Sequence, residues 1–119
     1  MDLLNESGEI DKAKAFIIVE IIEYVPNSIV IKTILKKTTG NVTVVSFDSG
    51  EALTERTIPF DTFIQVIDGK AEIVIDLKSN FLETGQSMII PAHSKYVMKA
   101  NERFKLISTV IKSGYEDEL

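Results

Sequence analysis

The sequence holds one histidine, His93, and no cysteine, which removes a good deal of chemistry at once. Without thiols there are no disulfides, no thiolate metal sites and no sulfur nucleophile. A lone imidazole cannot supply a two- or three-histidine metal site within one chain. The carboxylates are scattered near turns, so no acid/base pair is set by spacing. A histidine–carboxylate arrangement would need Glu51, Glu55 or Asp61 to approach His93, and nothing in their spacing demands it. No Gly-rich phosphate loop, G-x-S-x-G turn or Ser-His-Asp arrangement is present. His93 itself lies just after Pro91, and histidine tolerates a left-handed turn conformation better than most residues. It reads either as an exposed turn residue or as an acid, base or ligand facing a pocket.

Any such groups must be positioned by strands. Residues 1–14 are polar and charged and predict a flexible segment, a frayed start or a short helical turn outside the core. The run Ala15 to Tyr24 (AFIIVEIIEY) is rich in β-branched residues and predicts a strand, with a short helix as the alternative. Pro26 and Asn27 break it. Further strands are predicted over 29–35, 42–47, 62–67, 70–77, 87–90, 96–100 and 104–111. Asp68-Gly69 predicts a type I′ hairpin turn, Lys78-Ser79-Asn80 a second turn, and Asp48-Ser49-Gly50 a loop leading to residue 56. Many short strands between Gly and Pro turns argue for an all-β barrel or sandwich over 15–112, followed by an acidic tail at 113–119.

Gly50, Gly69, Gly85 and Pro91 add a more specific signal. Their spacing resembles the small cupins, whose first motif reads G-x5-H-x-H-x3-E-x6-G and whose second reads G-x5-P-x-G-x2-H-x3-N. The stretches FDTFIQVIDG (60–69), KAEIVI (70–75), GQSMIIPA (85–92) and ERFKLIST (102–109) look like the strands and turns that carry those motifs. The resemblance spans roughly residues 28–112 and implies a cupin-type jelly-roll barrel. It also implies a homodimer, as is common among cupins.

Laid on this sequence, the metal-ligand positions become Arg56, Ile58, Thr62 and Tyr96. Arginine and isoleucine have no lone pair to give and threonine gives a weak one, so the resemblance implies a cupin frame with its metal site lost and no cofactor. Arg56, Thr62 and Tyr96 would instead face the pocket, where a forked guanidinium suits a carboxylate or phosphate. Two alternatives stay open for Arg56: a surface pair with Glu51 or Glu55, and an internal ion pair that fills the old site. Ile58, Val66 and Met98 would make the cavity mostly apolar, either a pocket for a small molecule with one polar end or closed core. If Thr62 faces inward, Ile64 and Val66 do too, while Phe63, Gln65 and Ile67 face outward and need covering, by the N-terminal strand or by a second subunit.

Composition narrows the function classes. Thirteen basic against eighteen acidic residues leave a net charge of −5 with no basic stripe, which speaks against nucleic acid or an anionic membrane as partner. No apolar run approaches a membrane span, and the acidic start MDLLNESGE lacks the basic end of a signal peptide, so a cytoplasmic protein is expected. The expected function is metal-free, non-catalytic binding of a small molecule in the barrel pocket, with an anion as one candidate. The alternatives are an enzyme of the isomerase or dioxygenase class using Tyr96 and His93, and an interaction module using its outer sheet face.

Overall fold

The computed structural model describes residues 2–6 and 8–115, so all of the expected tail beyond Tyr115 lies outside the described residues. Nine strands are described: β1 (Asp2–Glu6), β2 (Ser28–Lys37), β3 (Gly40–Phe47), β4 (Ala52–Thr57), β5 (Thr62–Ile75), β6 (Lys78–Glu83), β7 (Ser87–Ile90), β8 (Lys95–Lys99) and β9 (Phe104–Ile111). They form one curled sheet in the order β1-β2-β3-β9-β5-β8-β4, with β6 and β7 also paired to β5. The result is a half-barrel of nearly pure β structure, as the turn pattern predicted.

The long strand β5 organises it. Its first half pairs with β9 and β7, its second half with β8 and β6, so one strand belongs to both walls. Asp68-Gly69 is therefore not the expected hairpin turn. The strand bends there instead, at a register shift between Val66 and Asp68, and Gly69 takes φ +82°. A Cβ at Gly69 would run into the Arg103 carbonyl oxygen, so the close approach of the chain entering β9 requires glycine. The two-residue hairpin turn falls at Asp76-Leu77, both with positive φ, and Lys78 already belongs to β6 rather than to the expected turn. The loop expected before residue 56 contains β4.

Alternation along the inner face places a graded wall on the sheet built from β2, β3, β9 and β5. At the closed end Ile29, Phe47, Phe104 and Gly69 lie side by side across the strands, and the two phenyl rings stack with centroids 4.4 Å apart. The next row is Ile31, Val45, Leu106 and Val66. These side chains meet Ile73, Met98, Leu82 and Tyr96 of the opposite wall in the main core. Thr62, Ile64 and Val66 are all buried and Phe63 is exposed, the alternation read from the sequence.

The N-terminal third differs most from expectation. Residues 2–6 are not frayed or helical but pair parallel with β2, although Leu3 and Leu4 remain exposed, outside the core. The run 15–24 is not a strand. It forms irregular backbone with a single 3-10 turn at Ile18–Glu20, and it lays Ile18, Ile21, Ile22 and Val25 over the outer face of the sheet. There they join Val30, Val44, Ile34 and Ile67 in a second apolar cluster. β-branched residues were selected here for burial against a sheet rather than for pairing within one, which periodicity alone does not distinguish. Three polar contacts pin this cover. Lys105 Nζ donates to the Val19 carbonyl at 2.7 Å, Ser46 Oγ to that of Glu23 at 2.9 Å, and the Tyr24 hydroxyl to Asp68 at 2.6 Å.

Candidate functional site

The residues singled out above are divided between the two walls of the half-barrel. Thr62 begins β5, with Ile90 of β7 and Val110 of β9 as its neighbours across the strands. On the facing wall Arg56 of β4 pairs with Tyr96 of β8, which pairs in turn with Ile75 of β5. Loop contacts close the rim. The His93 backbone N–H donates to the Ile58 carbonyl at 2.8 Å, and Ala92 N–H donates to Asp61 Oδ1 at 2.8 Å. The Tyr115 hydroxyl accepts from Asp61 N–H and donates to the Ile111 carbonyl at 2.7 Å.

The individual placements separate pocket from core. Val66 and Met98 are buried in the main core, and Ile58 packs against it half-buried. Tyr96 is buried, and that burial pushes its phenol above the ordinary tyrosine range, while the Arg56 charge pulls it partly back. Arg56 is exposed and makes no ion pair with Glu51, Glu55 or any other acid among the described residues. His93 is an exposed turn residue at φ +69°, and Asp61 is already engaged with Ala92, so neither forms a histidine–carboxylate couple.

Thr62 is the unusual member. It is 4% exposed, and its Oγ1 has no hydrogen-bond partner, the one such buried side-chain atom among the described residues. An unsatisfied buried hydroxyl costs about 1–3 kcal/mol, so a group that completes it would recover that amount.

Sequence reading did not find the rest of this wall. One row deeper than Thr62, Thr33 of β2, Thr43 of β3 and Ser108 of β9 stand directly across from one another on the inner face, all half-buried. Lys36, Asn41 and Val110 complete the row that contains Thr62. The alternation of polar and apolar residues over Asn41, Val42, Thr43 and Val44 was the available signal.

Comparison with known proteins places this architecture. No protein-family model matches the chain, and no curated protein matches it significantly. Solved structures do. A conserved protein of unknown function from Streptococcus pyogenes superposes with a TM-score of 0.84 at 24% identity, covering 96% of this chain and 97% of that one. A cupin superfamily protein from Desulfitobacterium hafniense gives 0.82 at 20% identity, over 89% and 97% of the two chains. An RmlC-like cupin from Shewanella frigidimarina gives 0.72 at 17% identity, over 92% and 97%. The fold is a cupin fold.

In metal-binding cupins the positions matched by Arg56, Ile58, Thr62 and Tyr96 are ligands, so the residues present can be tested against that role. They do not fit it. Two offer no donor, the third offers a neutral hydroxyl, and burial keeps the fourth protonated. Among the described residues, no group of three or more His, Cys, Asp or Glu side chains is placed to hold a metal. No helix among them is long and apolar enough to cross a membrane.

Proposed function

We propose that this cupin-fold protein binds a small organic anion at the open end of its barrel and performs no chemistry on it. The observation that carries this reading is the buried, unpartnered hydroxyl of Thr62. Arg56 supports it, a guanidinium on the facing wall with no ion pair among the described residues, whose forked donors match a carboxylate. The half-buried apolar side chains of Ile31, Val45 and Ile58, packed against the core, suit a ligand with a polar end and a hydrocarbon body. A cation-rich concavity of about 740 Å³ beside the rim, lined by Lys36, Lys37, Thr38, Thr39 and Lys112, favours the approach of an anion although the whole chain is acidic.

Calorimetric titration with hexanoate tests this. Saturable binding is expected, weakened roughly tenfold in Arg56→Gln by loss of one charge-assisted contact. Binding unchanged in that variant would remove Arg56 from the site.

A second reading concerns the outer face and can hold alongside the first. Phe63 and Ile89 are cross-strand neighbours there, 41% and 62% exposed, beyond the edge of the N-terminal cover. We propose that this patch is the contact between two copies of the chain in a homodimer.

A further inference from the structure

We propose that the inner wall formed by β2, β3 and β9 is a hydrogen-bonding subsite that selects a polyhydroxylated organic acid over a plain fatty acid. The inference rests on the barrel-mouth reading above and specifies its ligand. Thr33, Thr43 and Ser108 are consecutive partners across three adjacent strands. Adjacent strands lie about 4.8 Å apart, so the three hydroxyl-bearing side chains stand in one row at about that spacing. All three are only half-buried, on a face whose deeper rows are wholly apolar. A core-facing wall needs no hydroxyls for packing, and valine would fill the same space without the desolvation cost.

The Thr62 hydroxyl is an independent sign that something polar belongs here. It sits on the same inner face one row nearer the rim, buried and unpartnered. In that rim row lie Asn41 and, at the end, Lys36. The wall therefore presents groups that both donate and accept, an amide that does the same, and one cation at its edge. Hydroxyls of a ligand have the same dual character, and a carboxylate satisfies the cation. An aromatic ligand is disfavoured, since the wall's only aromatic side chains, Phe47 and Phe104, are stacked on each other at the closed end.

The test compares gluconate with hexanoate, acids of equal chain length with and without hydroxyls, titrated into the full-length protein and into Thr43→Val and Ser108→Ala. Both substitutions nearly preserve volume, and unfolding midpoints of the variants check that each remains folded. Gluconate is expected to bind the unmodified protein more tightly than hexanoate, and each substitution is expected to weaken gluconate several-fold while leaving hexanoate unchanged. Hexanoate binding as well as or better than gluconate, with neither substitution mattering, would overturn the ladder subsite and leave the barrel-mouth reading standing. Absence of binding by either acid up to about 10 mM would overturn both.

Discussion

Arg56 and Tyr96 stand directly opposite each other across the β4–β8 ladder, one exposed and the other buried. Their coupling is electrostatic, with burial raising the Tyr96 phenol and the guanidinium opposing that rise. Arg56→Gln should therefore move the ionisation of Tyr96 further upward, followed by ring-carbon NMR of the tyrosines. Tyr24 is raised too, by burial first and then by its hydrogen bond to Asp68. A phenol whose folded pKa lies above its unfolded value of about 10 leaves stability intact below that pH and loses it as pH rises through the folded value. Unfolding free energy should fall above pH ~10, and less steeply in Tyr24→Phe. An unchanged slope would mean that Tyr24 does not carry this linkage.

The N-terminal cover should matter to stability out of proportion to its irregular backbone. Ile22 is 1% exposed and joins Val30 and Val44 in the cluster beneath it. Ile22→Ala should cost about 2–5 kcal/mol in denaturant unfolding. A loss below about 0.5 kcal/mol would show a cover that is detached in solution.

Leu77 is a bulky residue held at φ +71° and 95% exposed at the β5–β6 turn. A left-handed conformation costs such a residue about 1–2 kcal/mol, and Asp-Gly is the favoured pair for a two-residue hairpin. Leu77→Gly should raise the unfolding free energy by about 1 kcal/mol, the glycine entropy cost offsetting part of the gain. A destabilised variant would mean that the leucine makes contacts the monomer does not contain.

The dimer reading predicts that Phe63→Asp yields a smaller species by sedimentation equilibrium without loss of folding. Two outcomes oppose it: an unmodified protein that is monomeric throughout the concentration range, or a dimer indifferent to the substitution.

Much of the barrel was legible because its signals were local. The ranges of β7 and β9 follow from Ser87–Ile90 and Phe104–Ile111, and the inward set Thr62, Ile64 and Val66 follows from simple alternation. The misreadings share a cause, since each depended on a partner distant in sequence. Asp68-Gly69 has the composition of a tight turn, yet both flanking segments find other strands to pair with, so β5 runs through. The run 15–24 has strand composition, yet the edge of β2 is already taken by β1. The ladder of Thr33, Thr43 and Ser108 depends on the register of three strands, including a bulge between Thr33 and Leu35 that no propensity indicates. Arg56 could be numbered from a motif, but its exposure and its lack of an acidic partner among the described residues could not.

Thr62→Val isolates the hydroxyl on which binding rests, because that hydroxyl carries a cost in the empty protein and a gain in the occupied one. Unfolding of this variant should be measured without ligand, and hexanoate titrated into it under the same conditions. The ligand-free variant should be more stable by about 1 kcal/mol, with binding weakened at least several-fold. A variant that is less stable while binding hexanoate as before would contradict it, identifying Thr62 as an ordinary structural residue and the barrel mouth as part of the core.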